Sequence, residues 1–380
     1  MNHRAKKAQT DDTDASRRSS IDDTSDITVV ECRYTSKISY GLRPPLTASL
    51  SSCVAVDVCY RSLIRVDVDD VVLNNMPARY DIESISHARD SRYVVTVYDC
   101  DAGTYAIYDA DIDTHDIDKI GDHGNAINIV TRDDIVVIFK DDDMATVLDK
   151  RIKTGQIDVN CKYVPGRHCQ QLDDDIYVVD RQHKLWRVSW HDIKTRRCDV
   201  KCLIDDDVED FYMHEHGNAI LKTTGIIALS EGQSINMKQV DGIAKWSAVI
   251  RSANRWIACG EKKGSTIASI DDEGLVISSM SIRTTDLNIG AYIKYLKTAI
   301  VTGDRAIILA MEHSARCHLI SMTASGHLHM IESMPSICRP DVEYPDGWCK
   351  KIYSMTETDI EGQYIVAGYS WIRKLTVRLN

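Results

Sequence analysis

A strand-turn-strand unit returns about every forty residues along this chain, starting at Cys53, Arg92, Asp134, Asp174, Gly217, Asn254, Asp304 and Gly362. Successive starts lie 39, 42, 40, 43, 37, 50 and 58 residues apart. A lone hairpin cannot bury its apolar faces, so such units must stack. A strand-built repeat of this length closes into a ring of sheets rather than a helical solenoid. The expected architecture is an all-β β-propeller of about seven four-stranded blades, with eight as the alternative count.

From residue 27 onward, short runs such as RYVVTVY, TYAIYD, DIVVIFK and KLWRVSW alternate or cluster Val, Ile and Tyr between Asp, Gly and Asn, the pattern of strands and turns. Residues 92–99 are expected to pair with 104–109, 174–180 with 183–190, 254–260 with 264–271, and 304–312 with 316–322. Aspartates cluster at 69–70, 133–134, 141–143, 173–175, 205–207 and 271–272, where the carboxylate bonds its own backbone and its charge guards strand edges. Two stretches break the rhythm. Residues 284–300 place Ile289, Tyr292, Ile293, Leu296 and Ile300 at helical spacing, which predicts a short helix between blades. Residues 335–348 hold three of the seven prolines and read as a long surface loop.

A ring must close without a raw edge, and the final hairpin reaches residue 380 after two strands. The last blade is therefore expected to borrow outer strand or strands from the N-terminal region, beginning with 27–34. The count is seven if the hairpin at Cys53 completes that blade and eight if it begins one. Residues 1–26 lack apolar periodicity and read as a disordered polar tail, leaving 27–380 as a single propeller domain. Within the tail, Arg17-Arg18-Ser19-Ser20 is a basic-flanked serine pattern that makes Ser20 a phosphorylation candidate.

The spacing and hairpin pattern over 27–380 resemble a divergent β-propeller of the WD40-like superfamily. The Trp-Asp dipeptide that usually ends such a repeat is absent, only Gly326-His327 is similar to its opening Gly-His, and the double glycines of kelch propellers are missing. The resemblance implies a ring of four-stranded blades used as a protein-binding platform, without transferring individual functional residues.

Composition narrows the partners. The 57 acidic residues against 46 basic ones give a net charge of −11, which repels phosphate backbones and anionic lipid, so nucleic acid is not an expected partner. The longest apolar runs, 135–139 and 306–310, are of strand length, against the roughly 20 residues of a membrane helix, so no membrane partner is expected. The polar first residues carry no secretory core, and twelve irregularly spaced cysteines fit reduced thiols. Together they predict a cytoplasmic or nuclear protein without structural disulfides.

Four segments could carry chemistry. Residues 109–116 place Asp109, Asp111, Asp113 and Asp116 as hard oxygen ligands stand in a calcium loop, without its glycine and distal glutamate; the plain reading is a solvated edge strand. Cys317, His318, His327 and His329 sit on neighbouring strands, as do His214 and His216 around Glu215, but neither group has zinc-site spacing. The run from Arg181 to Lys201 interleaves Trp186 and Trp190 with basic residues, as single-strand binders do, yet strand alternation turns Trp186, Val188 and Trp190 toward a neighbouring blade. No nucleophile elbow, phosphate loop, dinucleotide fingerprint or zinc-protease helix occurs. No cofactor or small-molecule ligand is expected, and the metal question stays open.

The leading expectation is a non-enzymatic platform that binds a protein partner through the 335–348 loop, with Ile337, Tyr344 and Trp348 as anchors and Arg339 to orient them. The rival is a channel-centred enzyme or metal-dependent binder using loop Asp and His residues.

Overall fold

A computed structural model of the chain describes residues 63–380 apart from 123–125, 141–144, 152–155, 158–159, 162–167, 181, 196, 199, 206, 214–217, 224–225, 230–233, 237–244, 262–264, 283–291, 304 and 339–350. Seven four-stranded antiparallel sheets lie among the described residues. Each is a blade whose first strand is innermost: Tyr80–Arg89, Ala126–Arg132, His168–Leu172, Val208–Tyr212, Lys245–Ser252, Ile293–Val301 and Ile352–Glu357 open blades one to seven. Blades pack in sequence order, and apolar clusters fill the spaces between them. One joins Ile293, Leu296 and Ile308 of blade six to Ile257 and Ile267 of blade five. Another joins Leu309 and Leu319 of blade six to Val366 and Leu375 of blade seven. The all-β propeller fold with four-stranded blades is as the repeat predicts.

The repeat reads out the two middle strands of each blade. Arg92–Asp99 pairs with Thr104–Asp111, Asp175–Val179 with Leu185–Ser189, Arg255–Glu261 with Ser265–Ile270, and Arg305–Glu312 with Arg316–Thr323. Aspartates make the turns in two ways. Asp90, Asp133 and Asp173 take positive φ at the tight turn from the first to the second strand, a region that short polar side chains tolerate. Asp99, Asp111, Asp149, Asp180 and Asp271 accept backbone N–H groups two to four residues ahead.

The ring closes through an N-terminal strand, as expected. Ile64–Val71 pairs antiparallel with Trp371–Leu379, from Ile64 opposite Leu379 to Val71 opposite Ile372. Blade seven thus takes three strands from the C-terminal region, Ile352–Glu357 being the one that sequence reading overlooked, and one from the N-terminal side. The 27–34 segment, the tail with Ser20, the residue-27 boundary and the hairpin start at Cys53 all lie outside the described residues.

The helix expected over 284–300 is overturned for its described part. Residues 293–301 form the innermost strand of blade six, paired with Arg305–Glu312. Bulges at Ile293/Tyr295 and Thr298/Ile300 insert extra residues. They break strict alternation, so a strand imitates helical spacing. The helix that is described, Trp190–Lys194, lies inside blade three, capped by the Ser189 hydroxyl.

Candidate site at the channel mouth

The first strand of six blades carries an extra residue near its start. Pairing with the second strand skips between Ile82 and Ser84, Ala126 and Asn128, Val208 and Asp210, Trp246 and Ala248, Ile293 and Tyr295, and Ile352 and Ser354. The bulged residues are Glu83, Ile127, Glu209, Ser247, Lys294 and Tyr353. A bulge turns its residue out of the ladder and re-aims its side chain. Three consecutive blades, six, seven and one, therefore set Lys294, Tyr353 and Glu83 at equivalent places on one mouth of the channel.

The residue after the bulge works as a latch. Ser354 Oγ accepts Ile85 N of the next blade at 3.0 Å, and Ser84 Oγ accepts Ile129 N at 3.3 Å. Innermost strands have no further ladder partner, so such hydroxyls satisfy their outer N–H groups and lock neighbouring blades. Gln170 does similar work between blades three and four, bonding Met213 O and N at 2.7 and 2.9 Å.

Lys294 spans two blades. Its Nζ donates to Ile352 O at 2.9 Å and Tyr353 O at 2.7 Å, and Tyr295 OH also donates to Tyr353 O at 3.0 Å. His313, in the middle hairpin of blade six, donates its N–H to Tyr292 O at 3.0 Å, accepts Ile352 N at 3.0 Å, and stacks on Tyr292 at 5.2 Å. On the blade-one side, Tyr80 is fastened to Ser370 by backbone and hydroxyl bonds, and Asp81 bridges to Tyr369.

Burial lowers the Lys294 ammonium to about 8, with Glu83 acting against the shift. Burial also lowers His313 to about 4, assisted by the charges of Lys294 and Lys351. The carboxyls move upward: Asp81 by burial, and Glu83 by burial and the charge of Asp81, partly offset by Lys294. Three polar atoms here, Asp81 Oδ1, His313 Nδ1 and Tyr353 OH, are enclosed without a hydrogen-bond partner. Unsatisfied buried groups are costly, and a polar partner would relieve these. The arrangement can hold one polar group between acceptors from blades seven and one.

The other candidate residues fall elsewhere. Ile337 is 4% exposed, in the apolar cluster between blades six and seven, and Arg373 Nη1 donates to its carbonyl. Arg339, Tyr344 and Trp348 lie outside the described residues, as do His214, Glu215 and His216. Cys317 and His318 are both buried: the thiol is pushed up to about 12 by burial and sits in the apolar cluster, while His318 bonds Glu312 at 2.9 Å and Ser333 at 2.9 Å. His329 stands opposite Ser321, three register steps from His318, so the group does not converge. Asp109 is paired with Arg92 at 2.7 Å and Lys150 at 3.2 Å, and Asp111 caps Asp113 and Thr114. Those carboxylates serve the fold. Among the described residues no group of three His, Cys, Asp or Glu side chains is placed to hold a metal. Trp186, Val188 and Trp190 pack against blade two, Trp190 opening the short helix rather than ending a strand. Nearby cations meet carboxylates: Lys184 with Asp205, Arg187 with Asp175, and Lys194 with Asp133.

Sequence reading missed Asp81, Glu83, Lys294, His313 and Tyr353. A signal existed: Ile82-Glu83-Ser84-Ile85, Ile352-Tyr353-Ser354-Met355, Ile293-Lys294-Tyr295-Leu296 and Trp246-Ser247-Ala248-Val249 share the order apolar, bulge, latch or its substitute, apolar.

No family model matches the chain, and no curated protein matches it. Solved structures do. A chain in the crystal structure of the Mitotic Checkpoint Complex is 9% identical with a TM-score of 0.56, covering 91% of this chain and 100% of that one. The N-terminal domain of Nup159 is 9% identical with a TM-score of 0.53, covering 83% and 96%. A chain from an S. cerevisiae assembly of Dbp5 with Nup159, Gle1, IP6 and ADP is 10% identical with a TM-score of 0.53, covering 83% and 95%. At such identity the likeness is one of fold, and the shared fold is a β-propeller. No described helix is long and apolar enough to cross a membrane.

Proposed function

We propose that this chain is a non-enzymatic platform that binds a protein partner, with its recognition surface on the face where one blade leads into the next. The observation that carries the proposal is an asymmetry between faces. On one face, several first-to-second-strand turns are tight, as between Arg89 and Arg92, Arg132 and Ile135, and Ser252 and Arg255. On the opposite face the chain leaves each blade and enters the next, with strand ends separated by residues 72–79, 237–244, 283–292 and 337–351. Long connections on a rigid ring are where recognition is usually built. The same face holds the polar channel mouth, and the 339–350 segment leaves from Cys338 and returns at Lys351 on it. Arg339, Tyr344 and Trp348 remain the proposed anchors. Chains of this fold in the Mitotic Checkpoint Complex and the Dbp5–Nup159 assembly fit the same use.

A cytoplasmic or nuclear setting belongs to this proposal, supported by free thiols at Cys100, Cys169, Cys202, Cys259, Cys317 and Cys338. Residues 1–26 would act as a polar arm, with Ser20 as its modification point. The test is affinity capture from source cells with the unaltered chain and with Tyr344 and Trp348 changed to alanine. The expected result is a reproducible partner lost in the variant at nearly unchanged melting temperature. A partner recovered equally by both would remove the segment from the binding surface.

A further inference from the structure

We propose that the channel mouth between blades six, seven and one recognises a single cationic side chain of the protein partner, an arginine foremost. This rests on the platform reading above and names what its central pocket accepts. The bulges bring Glu83 to the mouth from the first strand of blade one, Asp81 precedes it on the same strand, and Tyr353 faces them from blade seven. Asp81 Oδ1 and the Tyr353 hydroxyl are enclosed without a hydrogen-bond partner, and so is His313 Nδ1. All three can accept a hydrogen bond, so a donor with several N–H bonds would satisfy them together.

Charge selects among donors. The resident cation, Lys294, already gives two N–H bonds to the Ile352 and Tyr353 carbonyls, and the described ion pairs within 4 Å include none between it and Asp81 or Glu83. Two carboxyls thus face one committed ammonium, while the second nearby cation, Lys351, acts on His313 and not on Asp81 or Glu83. Burial together with the mutual effect of Asp81 on Glu83 makes their negative charge unfavourable, which an incoming cation relieves. A guanidinium fits best because it carries five donors in a planar fork, keeps its charge at any working pH, and is more weakly hydrated than an ammonium. The Tyr98 and Tyr105 rings, tilted at 4.7 Å, lie on the same blade, with Tyr105 close enough to feel the charges of Glu83 and Asp81, and offer apolar walls for the side chain. The net charge of −11 attracts a basic partner over distance.

The experiment titrates the full chain calorimetrically with the blocked tripeptides Ac-Gly-Arg-Gly-NH2, its lysine and glutamate counterparts, and the citrulline peptide, a neutral shape match for arginine. One-to-one binding of the arginine peptide is expected, at least tenfold tighter than citrulline, with lysine between them and glutamate silent. Asp81→Asn and Glu83→Gln should each weaken the arginine peptide at least tenfold, while Asp133→Asn on the opposite face leaves it unchanged. Equal affinity for arginine and citrulline, or preference for glutamate, would overturn the inference, and that comparison needs no variant to fold. The platform reading fails separately: arginine selectivity without any captured protein would refute the platform and leave the pocket standing. A partner retained by both mouth variants would refute the pocket and leave the platform.

Discussion

At the scale of single residues, the chain uses buried titratable groups in two opposite ways. Glu312 and His318, 1% and 3% exposed, are closed on each other and on Ser314 and Ser333, so every polar atom has work within the core of blade six. One residue along the turn, His313 is enclosed with Nδ1 unpartnered, and burial beside Lys294 and Lys351 keeps it neutral down to about pH 4. The first arrangement holds a fold together; the second leaves a ring nitrogen that the proposed guanidinium would satisfy. The second also predicts a pH dependence. An unfolded histidine titrates near 6.5, so between about 6.5 and 4 the unfolded chain takes up a proton that the folded chain refuses. This residue's cost to stability is absent above 6.5, grows as pH falls through that window, and is complete below about 4. His313→Gln should flatten the fall, read as a smaller difference between urea midpoints at pH 4.5 and 7 than in the unaltered chain. Asp81 and Glu83, raised by burial, act in the opposite direction but do so in both proteins. Equal midpoint differences would show that His313 is solvated in the native state.

At the scale of elements, the turns separate what the sequence tells from what it hides. Gly362 takes a positive φ of 74° between Ile352–Glu357 and Gln363–Gly368, and a Cβ there would run into the Val377 carbonyl oxygen. Gly362→Ala should cost roughly 1–3 kcal/mol, seen as a lower melting temperature with an unchanged β spectrum. A neutral substitution would mean that this turn relaxes freely. Hairpins with strong aspartate or glycine turns, such as 92–111 and 175–189, were legible because local chemistry alone specifies them. The innermost strands were less so. Ile293–Val301 looked helical because two bulges spoil its period, and Ile352–Glu357 was missed beside the proline-rich connection. The site suffered most, since bulge residues are visible only once blades are aligned with one another. Lys294 sat inside the segment read as helix, and the anchors chosen from 335–348 included Ile337, an apolar residue that the core claims.

At the scale of the whole molecule, one strand decides whether seven sheets make a ring. Ile64–Val71 lies in register with Trp371–Leu379 along its full length, with Val66 opposite Val377 and Val68 opposite Leu375 beside the cluster joining blades six and seven. Asp67 meets Arg378 at 2.7 Å and Asp70 meets Arg373 at 2.7 Å, charges that fix register at the edge. Such closure joins contacts most distant in sequence, so its entropy cost is high, and its loss leaves an open strand edge at blade seven. The pairing also brings the two chain segments together: Asn380 N donates to Leu63 O at 2.7 Å. A circular permutant that joins residue 380 to residue 63 through a short glycine turn, and opens the chain between Asn74 and Asn75, turns that long-range pairing into an ordinary hairpin. The new ends fall in the 72–79 connection, outside every strand. The permutant should refold faster and melt within a few degrees of the unpermuted chain, because every interblade contact is kept and only connectivity changes. Deleting 64–71 should instead abolish a single cooperative melt, since blade seven would lose its outer strand and its cover over Leu375 and Val377. If the deletion melted like the unaltered chain, closure by this strand would be refuted, and with it the account of how blades six, seven and one are held close enough to share Lys294, Tyr353 and Glu83.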